Sequence, residues 1–107
     1  MPKKKDICSL ADGKNILEIA YYGPGDHSYL EEEMGSSWFE KEILVPFLGQ
    51  YSKKKTIAVI DYKDGGATRQ HFGLGSSPEE AVKSALTTLI AKYEPMVAAA
   101  EKALNAI

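Results

Sequence analysis

The residues best suited to chemistry gather in one short stretch, Tyr21-Tyr22-Gly23-Pro24-Gly25-Asp26-His27-Ser28-Tyr29. It holds a histidine, a carboxylate, a hydroxyl and three tyrosines, and its glycines let a partner approach the backbone closely. A Ser-His-Asp constellation depends on a base that reaches both nucleophile and carboxylate. Asp26 and His27 are chain neighbours, so their side chains generally diverge and adjacency does not supply that geometry. The stretch reads as a binding or connecting loop, and no residue is assigned a catalytic role.

Metal and phosphate chemistry have weaker support still. His27 and Glu31 stand at i, i+4 and could share a helix face near Asp26, while His71 is remote. That is far from an HExxH or paired CxxC signature. The single Cys8 excludes an intrachain disulfide and an all-cysteine metal site, and it reads as a small apolar residue. Gly73-Leu74-Gly75-Ser76-Ser77 leads into a helix N-terminus, which attracts anions. The Walker lysine and the GxGxxG spacing are missing, however, and Glu79 and Glu80 repel an anion there. We expect no metal and no cofactor.

An acidic surface with aromatics in it is the remaining chemistry. Between Asp26 and Glu42 stand Asp26, Glu31, Glu32, Glu33, Glu40 and Glu42 against the single base Lys41, a net charge of −5. Tyr29, Met34, Trp38 and Phe39 are interleaved with them. This mixture suits docking to a basic protein surface. Tyr22, Asp26, His27, Tyr29, Glu31, Glu32, Glu33 and Trp38 are the expected partner-binding residues.

The elements that must position these residues follow from local pattern. The 107 residues read as a single α+β domain spanning 1–107, with 44% hydrophobic and 26% charged residues. A formal charge of −2 gives no general pull toward nucleic acid or anionic membrane. No apolar run approaches the roughly 20 residues of a membrane span, and polar residues follow the lysines at 3 to 5 where a signal peptide needs an apolar core. The cytoplasm is the expected location. A short strand is expected over 6–10 and a stronger one over 14–22, paired as a first hairpin. In the second strand Leu17, Ile19 and Tyr21 would face one side and Ile16, Glu18, Ala20 and Tyr22 the other. Residues 27–34 read either as one or two helical turns or as an extended loop. Ser37 and Glu40 have capping-box spacing, so a helix is expected from Trp38, stopping near Val45 before Pro46.

The clearest pattern runs over 56–93. A β-branched run, Thr56-Ile57-Ala58-Val59-Ile60-Asp61-Tyr62, leads to Asp64-Gly65-Gly66, a tight hairpin, and a strand over 67–73. Ser77 is an N-cap, Pro78 fits the first helical position, and Glu80 completes a capping box. Ala81, Val82, Ala85, Leu86, Leu89, Ile90 and Tyr93 then form one apolar helix face. Pro95 either kinks this helix or opens a separate last one. The order is ββα-ββαα: an antiparallel sheet of about four strands with two or three helices on one face.

This hairpin, Gly-Ser loop and Ala-rich helix resemble the C-terminal half of a double-stranded RNA-binding domain. That family places lysines at the helix start to contact phosphates, whereas Pro78-Glu79-Glu80 stand here. The same forty or so residues are similar to the hairpin-plus-helix unit of HicB-type antitoxins. These likenesses imply a nucleic-acid-binding module, for which the lysines at 3 to 5 and 53 to 55 and Arg69 would have to gather on one face. The leading expectation is a non-enzymatic regulator or inhibitor that occupies a partner protein's surface. Phage-encoded anti-defence inhibitors share that profile. A homodimer through the Ala-rich last helix overlaps with it.

Overall fold

The computed structural model describes residues 7–107, so the lysines at 3 to 5 lie outside the described residues. β2 (Thr56–Asp64) is the centre of the fold. Its run from Thr56 through Ile60 is buried at every position, the mark of a strand covered on both faces. β1 (Ile16–Tyr22) and β3 (Ala67–Gly75) flank it, both antiparallel, in the order β1-β2-β3. The class is α+β, with an antiparallel three-stranded sheet and four helices among the described residues.

The fourth strand expected at 6–10 is instead a 3₁₀ turn, Ile7–Leu10. Ile7 and Leu10 both pack against the core, and three-residue spacing brings two side chains together on a 3₁₀ turn. The expected first hairpin is therefore absent. β1 reaches β2 through a helical excursion made of α1 (His27–Met34), α2 (Ser36–Phe39) and a π-helical turn, Glu40–Leu44. Helices also lie on both faces of the sheet, where one face was expected. α3 (Pro78–Lys92) and α4 (Val97–Ala106) bury Ile19, Ala58, Ile60 and Tyr62, whereas Leu30, Phe39 and Ile43 of the excursion bury Ile57, Val59 and Phe72.

A bulge in β1 revises the expected facing of its side chains. Ile16 pairs with Tyr62 but Glu18 pairs with Asp61, so Leu17 is an extra residue. It carries Ile16 onto the same face as Ile19, and both are 1% exposed.

The hairpin and the α3 start follow the local signals. Gly65 takes φ +63 at the two-residue turn. Ser77 Oγ accepts a hydrogen bond from Glu80 N at 3.2 Å, and Glu80 Oε2 accepts one from Ser76 N at 3.0 Å. β3 runs two residues past the expected 67–73, taking in Leu74 and Gly75. Gly73 and Gly75 let the strand lie directly on α3: a Cβ at Gly73 would stand 2.4 Å from Ala85 N. The loop first read as a Gly-Ser lead into the helix is thus partly a strand in close contact with it.

Two open alternatives are resolved. Residues 27–34 are helical. α3 ends before Tyr93, which is extended at φ −138, and a 3₁₀ turn Glu94–Met96 separates it from α4. Ala100 and Ala103 of α4 are buried within this chain. The helix from residue 38 begins instead at Ser36, with no side-chain cap from Ser37, and the excursion's last helical turn is the π turn, closed by Val45 N donating to Glu40 O at 2.9 Å. Pro46 has no N–H to continue the ladder, so the regular chain stops where expected.

Candidate protein-interaction site

α1 and α2 cover only part of their face of the sheet. They sit over Ile57, Val59 and Phe72, leaving Glu18, Asp61, Thr68 and Gln70 outside the apolar cluster. Alternation explains which residues these are. Asp61 lies two residues beyond Val59 on the same face of β2, where the helical cover ends.

The uncovered sheet and the helical excursion form the walls of an open groove of about 760 Å³. Glu33 and Met34 come from α1, Trp38 from α2, Glu42 from the π turn, Asp61 from β2, and Thr68, Gln70 and Phe72 from β3. A smaller concavity of about 270 Å³ adjoins it, lined by Glu18, Tyr22, Glu33, Asp61 and Gln70 among others. Gln70 Nε2 donates to Asp61 Oδ1 at 3.2 Å. Trp38 is 55% exposed, with Lys41 Nζ 4.9 Å from its ring centroid.

Glu33 is the hub of the acidic side. Tyr22 donates its hydroxyl to Glu33 Oε2 at 3.2 Å, and the Tyr22 and Tyr29 rings lie 6.4 Å apart. Burial first, then the Glu33 charge, raises the Tyr22 phenol pKa. For Tyr29 hydrogen bonding to Glu33 comes first, and its charge adds to the rise. Both phenols stay neutral, and each O–H is held by Glu33.

The far side of β3 is balanced electrically. Arg69 Nε pairs with Asp64 Oδ2. Hydrogen bonding from Tyr93, then from Arg69, lowers the Asp64 pKa, and Asp64 in turn raises Tyr93.

The sequence-expected residues divide. Glu33 and Trp38 line the groove, Tyr22 lines the adjoining concavity, and Tyr29 stands against Tyr22 without lining either. Glu32 is exposed beside Tyr29 and adds to the charge acting on it. Asp26 is exposed at the start of α1, and Glu31 acts on Tyr51 on the other flank. His27 is corrected: it is 5% exposed, with Nε2 2.6 Å from the Lys55 carbonyl and Nδ1 2.9 Å from the Tyr51 hydroxyl. A carbonyl only accepts, so Nε2 carries a proton. The ring ties α1 to residues 51–55 and is turned away from any partner.

His71 is likewise structural. Its Nε2 lies 2.7 Å from Thr88 Oγ1, and that hydroxyl donates to Ser84 O at 2.9 Å. Thr88 therefore accepts from a protonated Nε2. Burial, then the nearby Lys92, lowers the His71 pKa to about 4. Among the described residues no hydrogen bond joins either histidine to a carboxylate, and no three His, Cys, Asp or Glu side chains group as metal ligands. No helix among them is long and apolar enough to cross a membrane.

Asp61, Glu42, Gln70 and Glu18 were missing from the sequence-derived site. Two of them left a signal: Glu42 stands in the acidic segment, and Asp61 is the one charged residue of its strand run. Comparison with protein-family models, curated proteins and solved structures finds no match.

Proposed function

We propose that this protein is a small non-enzymatic interaction module, a regulator or inhibitor that works by occupying a basic surface of a partner protein. The observation that carries the reading is the convergence of Glu33, Glu42 and Asp61, from three separate elements, beside the exposed Trp38 in one groove. Carboxylates so placed steer a basic partner toward the groove and set its orientation. A tryptophan buried on docking is the kind of side chain that carries a large share of interface energy. Phe72, only 6% exposed, gives the groove an apolar inner end.

The nucleic-acid alternative lacks this convergence. Lys53, Lys54 and Lys55 precede β2, whereas Arg69 pairs opposite Tyr62 near its other end. Six strand residues, roughly 20 Å, separate the two, and Arg69 is held by Asp64.

The test is capture from a host extract, read by mass spectrometry, with three baits. Wild type and a Glu101→Lys control on α4 should retain the same basic partner. A Glu33→Lys/Glu42→Lys/Asp61→Lys variant that folds normally should lose it. Retention of the partner by the triple variant would sink the reading.

A further inference from the structure

The groove straddles a free strand edge. In the β2–β3 ladder Asp64 pairs with Ala67 across a two-residue turn, so these two exchange both backbone bonds. Alternation then turns Arg69, His71 and Gly73 toward β2, and the N–H and C=O groups of Thr68, Gln70 and Phe72 outward. The donation from Lys63 N to Asn15 O at 2.9 Å agrees with this phase, because Lys63 must point the other way, toward β1. Among the described residues the outward groups of Thr68, Gln70 and Phe72 have no hydrogen-bond partner. The opposite edge differs: β1 is bulged, and the Ile7–Leu10 turn packs beside it.

Walls rise on both sides of that edge. Trp38, Met34 and Glu42 stand on one side, and Lys92 and Tyr93 on the other, all lining the same groove. A strand with a helical wall on each side is the setting in which an extended segment adds to a sheet. Its main chain would pair with β3, and its alternate side chains would fall on the two walls.

We infer that the β3 edge is a docking site for an extended segment of a partner, bound as a fourth strand, with arginine or lysine at alternate positions and apolar residues between. Charge complementarity selects this occupant. On the Trp38 side a basic side chain meets the carboxylates of Glu33, Glu42 and Asp61. On the other side Asp64 and Arg69 satisfy each other, and the Tyr93 ring meets an apolar residue. A second copy fits poorly, since the acidic walls of two copies would face one another. The inference rests on the interaction-module reading and specifies the form of its partner.

A short capped peptide alternating arginine and valine is the probe, followed by fluorescence of Trp38, the only tryptophan, and by amide exchange. Binding should protect the amides of Thr68, Gln70 and Phe72, and a glutamate–valine twin should not bind. N-methylation of one alternate set of peptide amides should weaken binding about tenfold, as loss of one to two hydrogen bonds does. Methylation of the other set should leave it within about twofold, because only one set faces β3. Gln70→Pro, which removes an outward N–H that the ladder does not use, should keep the melting temperature and lose the peptide.

Absence of peptide binding at millimolar concentration, equal effects of the two methylations, or normal binding by Gln70→Pro would overturn the inference. So would protection of these amides that appears only as protein concentration rises, which would put a second copy on the edge. If the triple lysine variant still binds the peptide, the charge reading fails and strand addition stands. If that variant loses the peptide while neither methylation matters, strand addition fails and the acidic-surface reading stands.

Discussion

Replacing Gly73 with alanine puts a methyl group where α3 already lies. The new Cβ would sit 2.4 Å from Ala85 N, 2.5 Å from Ala81 O and 2.7 Å from Ala85 Cβ. Ordinary contact needs 3.4 Å or more, so strand and helix must separate by about 1 Å. Two of the three colliding atoms are backbone, and no rotamer change relieves them. Overpacking a core costs about 1–3 kcal/mol, and the rigid neighbours put this case near the top of that range. Alanine returns about 0.4–1 kcal/mol by restricting the unfolded chain. The net expectation is about 2–3 kcal/mol of destabilisation. For a domain of this size that lowers Tm by roughly 10–20 °C. Gly66→Ala is the control, because nothing lies within 4 Å of its added Cβ and its φ is not positive. It should stay within about 0.5 kcal/mol of wild type. Urea unfolding followed by Trp38 fluorescence should give a lower midpoint for Gly73→Ala at unchanged slope. A Gly73→Ala protein as stable as Gly66→Ala would refute the direct contact of β3 with α3.

Two further predictions concern the histidines. The His71 pKa is about 4, below the unfolded value of about 6.5. The folded state therefore binds fewer protons than the unfolded one between those pH values, and the stability present above pH 6.5 is lost as pH falls toward 4. With the partial exposure of the ring discounted, the loss is about 1–2 kcal/mol, and it should be missing from the pH profile of His71→Gln. An NMR titration of the ring with a midpoint above 6 would contradict the burial argument. His27→Phe keeps a buried ring but leaves the Lys55 carbonyl without its donor, which should cost about 1–3 kcal/mol in chemical denaturation. Unchanged stability would mean that His27 does not anchor α1.

Local signals in the chain carried much of the fold. Ser77, Pro78 and Glu80 start α3 through contacts within four residues, and Asp64-Gly65-Gly66 closes the hairpin through one residue at positive φ. The apolar face of α3 was legible because helical spacing alone decides it. The first strand was misread because four residues, Ile7-Cys8-Ser9-Leu10, are too few to separate a strand from a turn. The helix cover on both faces left a trace in the unbroken apolar run Ile57-Ala58-Val59-Ile60, since a half-covered strand would alternate. The acidic-aromatic segment was found from charge and composition, but not the orientation of its members. His27 looked like the most chemical residue of its loop and is an internal strut.

By itself, then, the sequence determined the caps, the hairpin, the helix faces and the acidic-aromatic segment, all set by interactions among residues close in the chain. Only the tertiary structure decided where the excursion lands and what it leaves uncovered. Glu33, Trp38, Glu42 and Asp61 become one surface because α1, α2 and the π turn fold back over β2, and among the described residues no strand pairs with the outer edge of β3. Those outcomes depend on contacts between residues far apart in the chain, settled by which apolar faces bury one another.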